Sequence, residues 1–174
     1  CGNNAAFDIT AAITVAAWIQ VRTFDKQWQY VVGKGDNSWR FVRETTTNTM
    51  RWRANGPTPN LAVTGKVNVN DGQWHHLIGT YDGSTAVLYV DGKVDASLKC
   101  SGAIAKSTYN VWIGQCAQQK NRAWNGLIDD VRVYRRALSE ADVQELAAFY
   151  PNPRIKARNP QPADGAVGIA IPLL

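Results

Sequence analysis

"DGQWHHLIGTYDGSTAVLYVDG", residues 71–92, reads as two extended segments joined by a tight turn. In the first, Trp74, His76, Ile78 and Thr80 alternate with His75, Leu77, Gly79 and Tyr81; in the second, Val87 and Tyr89 alternate with Leu88 and Val90. Period-2 alternation marks a strand, whose successive side chains point to opposite faces. Asp-Gly at 82–83 and again at 91–92 supplies turn chemistry. The adjacent histidines therefore diverge. They cannot ligate one metal from one side, and they lack the i, i+4 helical spacing through which paired imidazoles converge. They are read as scaffold, one of them buried among apolar neighbours and hydrogen-bonded.

The same rhythm extends outward. In "ITVAAWIQV", Ile13, Val15, Ala17 and Ile19 share a side, and "YVVGK", "SWRFVRE", "TMRWRA", "NVWIGQ" and "LIDDVRVY" follow as short runs. Between them stand "GDN", "TTTN" and "NGPTPN", all turn-forming. An all-β sandwich or barrel is expected. Only "LSEADVQELAAFYP" has helical spacing: Ser139 caps with Asp142, Val143, Leu146 and Ala147 follow, and Pro151 stops a helix over 139–148.

A chain of 174 residues, 45% of them hydrophobic, suits one domain, placed at 1–150. Residues 151–174 hold five prolines, too many for a central strand, and read as a linker into a further, missing domain. The net charge of +5 is spread out. It lacks the like-charge runs of a nucleic-acid arm, yet favours an acidic partner. No apolar run approaches the roughly 20 residues that cross a bilayer, and no basic, apolar leader precedes Cys1. The expectation is a soluble fragment lacking its natural start. Three cysteines allow one disulfide. Cys100 with Cys116, near the ends of strands read as neighbours, is the preferred pair; free thiols are the alternative.

"DGQWHHLIGTYDGSTAVLYVDGKV", then "IGQ", then "WNGLIDDVRVYRRALSEADV", together resemble the laminin-G-like jelly roll of the concanavalin A-like lectin and glucanase superfamily, in the variant found in large bacterial extracellular proteins. The resemblance covers residues 1 to 149. It implies a two-sheet antiparallel jelly-roll sandwich with its first and last strands close together. It also implies an extracellular or cell-surface role, commonly glycan binding or adhesion.

Catalysis is not expected. Glycoside hydrolysis needs two carboxyls flanking one bond, about 5 Å apart for retention or about 6.5 to 9.5 Å for inversion. The glucanases of this fold place theirs as Glu-x-Asp-x-x-Glu, and none of Glu44, Glu140 or Glu145 begins such a motif. Asp129 and Asp130 are adjacent on a strand, so their carboxyls diverge. By alternation Leu127, Asp129, Val131 and Val133 share one face and Ile128, Asp130, Arg132 and Tyr134 the other, which aligns one acid with core valines. Resemblance to related sandwiches implies a structural Ca2+ at Asp129, with Asp130 beside it. The alternative is that both carboxylates accept bonds from main-chain N–H groups or from Arg132.

Seven tryptophans remain to be placed. Trp18, Trp74 and Trp124 are read as packing. If Val111 and Ile113 point inward, Trp112 points out. If "SWRFVRE" pairs with "TMRWRA", Trp39, Phe41, Met50 and Trp52 point inward, and Arg40, Arg51 and Arg53 form an exposed stripe. Trp28 falls on a loop. Sugars stack their C–H faces on aromatic rings, and arginine offers bidentate donors to carboxylate or sulfate. Arg40, Arg51, Arg53, Trp112 and Trp28 thus form the candidate site for an acidic or sulfated polysaccharide. The competing readings are solvated strand arginines, and a structural or adhesive domain contacting other proteins.

Overall fold

Alternation becomes two antiparallel sheets stacked face to face in the computed structural model, which describes residues 1–148. The strands are β1 (Ile13–Val21), β2 (Tyr30–Gly33), β3 (Trp39–Arg43), β4 (Met50–Ala54), β5 (Leu61–Thr64), β6 (Trp74–Tyr81), β7 (Thr85–Val90), β8 (Lys93–Lys99), β9 (Trp112–Ile113) and β10 (Gly126–Tyr134), followed by helix α1 (Glu140–Ala148). The first sheet has the order β10-β1-β6-β7-β8 and the second β5-β4-β3-β2-β9. This is the expected jelly roll. Its first and last strands are neighbours, Thr14 facing Tyr134 and Val21 facing Gly126. The proline-rich segment read as a linker lies outside the described residues.

The two sheets meet over one core that joins Val15, Ala17 and Ile19 to Phe41, Trp52, Leu77 and Leu88. Trp39 and Trp52 are fully buried, as the sequence predicts. Each indole N–H finds a carbonyl, Trp39 Nε1 donating to Phe7 O at 3.1 Å and Trp52 Nε1 to Thr80 O at 3.2 Å across the sandwich. Gly79 makes that crossing possible. A Cβ there would stand 2.5 Å from the Trp52 ring.

Helix α1 and the turn before it close part of the first sheet's outer face, covering Ala16, Ile78 and Tyr89 with Val143 and Leu138. Its start follows the sequence reading: Asp142 N donates to Ser139 Oγ at 3.2 Å and Ser139 N to Asp142 Oδ2 at 2.9 Å. Arg136 Nη1 adds a 2.9 Å bond and holds the Asp142 carboxyl down at about 2.

The histidines are scaffold, with roles divided differently from the expectation. His75 is the hydrogen-bonded one, its Nδ1 2.8 Å from Asp91 Oδ2 and its Nε2 3.1 Å from Asp71 Oδ1. The Asp91 bond raises its pKa. His76 is the more deeply buried ring, 2% exposed. It stacks on Trp18 at 4.7 Å, its Nδ1 has no hydrogen-bond partner among the described residues, and burial pushes its pKa down to about 4.

The disulfide expectation is corrected, because all three cysteines are free. Cys100 joins the core between the sheets, whereas Cys116 packs with Tyr30 and Val42 on the outer side of the second sheet. A sheet separates them, so nearness to strand ends did not make them neighbours.

The alternation read through "LIDDVRVY" is also corrected. Ala16 faces Arg132 but Trp18 faces Asp129, so Asp130 and Val131 together oppose Ala17. This bulge, with Asp130 at φ +46°, shifts the phase of the strand. Ile128, Val131 and Val133 pack on the core, while Leu127 and Asp129 are exposed. No carboxylate is aligned with the core valines.

Candidate functional site

The outer face of the second sheet is set by register. Residues directly opposite one another across a sheet share a face. Trp112 faces Gly33, Gly33 faces Arg40, Arg40 faces Arg53, and Arg53 faces Ala62, so these five form one row. Tyr30, Val42, Arg51 and Thr64 form the next. Four of the five candidate residues therefore share one face by strand register alone. Trp112 to Arg53 is three strand spacings, about 14 Å.

The loop between β1 and β2 brings the fifth. Trp28 stands at φ +57° and packs on Tyr30, Val42 and Cys116. The Arg51 and Arg53 guanidinium carbons each lie 5.9 Å from its ring centre, within cation–π range. Buried Arg43 fixes this loop by donating from Nη1 to Lys26 O at 2.6 Å while lying over the Phe24 ring at 4.5 Å. Phe24 in turn meets Trp124 edge-on.

The exposed stripe needs one correction. Arg51 and Arg53 are half-buried, but Arg40 is only 5% exposed. Its Nη1 donates to Asp36 O at 2.6 Å and Ser38 O at 3.1 Å, and its Nε lies 3.4 Å from Asp36 Oδ1. The cause is the chain between β9 and β10. Cys116 from that segment packs on Tyr30 and Val42, Gln118 accepts the Asp36 N–H, and Arg122 Nη1 reaches Asp36 Oδ2 at 2.7 Å. Arg40 supports the face from beneath. Trp112, at 44% exposure, is open as expected, while Val111 and Ile113 turn toward the core.

Two carboxylates belong to this face and escaped the sequence reading. Asp36 serves Arg40 and Arg122, and Glu44 Oε2 pairs with Arg51 Nη1 at 2.8 Å. Glu44 was legible in principle, since it continues the alternation of Arg40 and Val42. Among the described residues Arg53 has no ion pair, and the Nε atoms of Arg51 and Arg53 are buried without acceptors. Burial first, and then the charges of Arg40 and Arg51, lower the Arg53 pKa.

Both acids assigned to the implied calcium have partners within the chain. Asp129 Oδ1 accepts the Asp130 N–H at 2.8 Å, and Asp130 Oδ1 accepts Arg132 Nε at 2.8 Å, which is the alternative set out from the sequence. Among the described residues no group of three or more His, Cys, Asp or Glu could hold a metal. Two hollows, of about 220 Å³ beside Gln20, Arg22 and Leu127 and about 360 Å³ beside Thr10 and Asp82, are lined by none of Arg40, Arg51 and Arg53, and neither is lined by a pair of carboxyls.

The sequence profile of the concanavalin A-like lectin/glucanases superfamily matches residues 2–144. This chain belongs to that superfamily. Comparison with curated protein sequences finds no match. Among solved structures, this superfamily member is similar to a presumed carbohydrate-binding protein of Bacteroides ovatus, with 18% identity, a TM-score of 0.67, and coverage of 78% of this chain and 40% of that one. It is similar also to the binding domain of Paraclostridial Mosquitocidal Protein 1, with 16% identity, a TM-score of 0.65 and coverage of 84% and 39%. A third is domain 4 of AbnA, an extracellular arabinanase of Geobacillus stearothermophilus, in complex with arabinotriose, with 20% identity, a TM-score of 0.59 and coverage of 79% and 67%. The chain spans about two fifths of the length of the first two.

Proposed function

We propose that this superfamily member is a non-catalytic glycan-binding module of an extracellular or cell-surface protein, and that it takes an acidic polysaccharide on the outer face of the second sheet. One observation carries the reading: Trp28 lies over Arg51 and Arg53 on the same face as exposed Trp112. Ring faces meet the C–H surfaces of sugars, and guanidinium groups meet their acidic substituents. The arabinotriose held by the arabinanase domain and the carbohydrate binding presumed of the Bacteroides protein support the ligand class.

An adhesive role would be favoured by a broad apolar patch. The large apolar side chains exposed among the described residues are instead few: Val67, Val94, Tyr109, Trp112 and Leu127. A glycan array probed with the isolated chain and with Trp28→Ala and Trp112→Ala tests the proposal. Acidic glycans are expected to be retained by the parent chain and weakened by both changes. Retention unaffected by either substitution would place binding elsewhere.

A further inference from the structure

Four arginines crowd the proposed face, but they are not equivalent. Arg40 is buried, with its Nη1 donating to two carbonyls and its Nε against Asp36. Arg122 shares Asp36 with it at 2.7 Å. Arg51 is paired with Glu44 at 2.8 Å, and the Glu44 side chain is itself only 14% exposed. Arg53 remains. It has no carboxylate within ion-pair distance among the described residues, and its Nε, like that of Arg51, is a buried donor without an acceptor. Such a donor carries a desolvation penalty that an arriving acceptor relieves. Glu44 cancels the charge of Arg51, whereas Asp36 offsets one of the two charges of Arg40 and Arg122.

Resting on the glycan reading above, we propose that Arg53 is the principal reader of charge, and that the site selects a sparsely charged glycan: one acidic group seated at Arg53, flanked by neutral sugar against Trp28 and toward Trp112. Carboxylate and sulfate ester share the needed chemistry. A densely charged chain gains little further, since Glu44 cancels Arg51 and Asp36 offsets one of the charges of Arg40 and Arg122. Glu44 is then a positioning and selectivity residue: it holds Arg51 under Trp28 and withholds it from the ligand.

The test is an array carrying neutral oligosaccharides, the same backbones with one uronate or one sulfate, and densely sulfated chains such as heparin fragments. It is probed with the parent chain, Arg53→Gln, Arg53→Lys and Glu44→Gln, each checked for an unchanged melting curve. The parent chain is expected to prefer singly charged over neutral glycans and to gain little from further charge. Arg53→Gln should lower that preference by roughly tenfold, the scale of one charge-assisted bond. Arg53→Lys should restore part of it, and Glu44→Gln should raise binding of the dense chains selectively. Affinity that climbs steadily with charge density, or a preference that survives Arg53→Gln, would overturn the assignment to Arg53 while leaving glycan binding intact. Binding to no glycan of any charge would instead overturn the function itself.

Discussion

Asp91 grips His76 by the main chain: its Oδ1 accepts the His76 N–H at 2.8 Å, and the Asp91 N–H returns a 2.9 Å bond to His76 O. Its second oxygen lies 2.8 Å from the His75 ring. The Asp-Gly turn between β7 and β8 is thereby fastened to β6. Asp91 sits at φ +53°, which Asp and Asn tolerate. Asp91→Ala should therefore cost about 2 kcal/mol in a urea titration, from the lost bonds together with the strained turn. Asp91→Asn should cost less. Equal loss in both would show that charge, and not turn geometry, dominates.

The two histidines should respond oppositely to pH. His76 has its pKa depressed to about 4 from 6.5, so its contribution is complete above 6.5 and is lost as pH falls through that window toward 4, by about 3 kcal/mol in all. His75 has a raised pKa, so its contribution is complete below 6.5 and is lost as pH rises through the folded value. His76→Phe should flatten the acid arm of a melting-temperature profile while keeping the stack on Trp18. An acid arm unchanged by this substitution would assign it to carboxylates.

Chelation gives a separate measurement. Asp129 and Asp130 are occupied by the Asp130 N–H and by Arg132. Excess chelator is therefore expected to leave the melting curve unmoved, because no linkage free energy is removed. Asp130→Ala should destabilise by about 1 to 2 kcal/mol, losing the arginine and straining φ +46°. A chelator-induced fall in melting temperature that Asp129→Asn abolishes would restore calcium.

Thiol chemistry should follow burial. Cys1 is exposed, whereas Cys100 and Cys116 are buried. Alkylation of the native chain should modify Cys1 alone, and reductant should leave the melting temperature unchanged. Recovery of a Cys100–Cys116 peptide under non-reducing conditions would contradict the separation of the two by a sheet.

Salt should divide the contributions of the binding face. Arg53 is half-buried, so its attraction for an anion weakens as the Debye length contracts from about 10 Å at 0.1 M to about 3 Å at 1 M. Stacking is much less affected. Trp112→Ala should weaken glycan binding at every ionic strength, while Arg53→Gln removes the salt-sensitive part; the reverse pattern would exchange their roles.

Parity along strands made much of this molecule legible. Trp39, Phe41, Met50 and Trp52 inward, and Arg51, Arg53 and Trp112 outward, follow from a period of two and the pairing of "SWRFVRE" with "TMRWRA". Parity fails where a strand gains a residue, and the bulge at Asp130 gives no warning in "LIDDVRVY" beyond the acid that tolerates positive φ. It is silent about what loops cover. Arg40 and Arg53 share a register pair, but one is buried because Asp36 lies at the meeting point of two segments 86 residues apart. Cys116 likewise stands on the far side of a sheet that sequence distance cannot show.

Helix α1 shuts part of one sheet's outer face, while Trp28, Arg51, Arg53 and Trp112 occupy the other. A chain gripping a polymer through one such face is monovalent. Tight retention on a long polysaccharide would then arise from avidity, with several copies engaging one strand and each rebinding at the effective concentration set by its neighbours. Individual contacts could stay weak and reversible while the assembly holds fast.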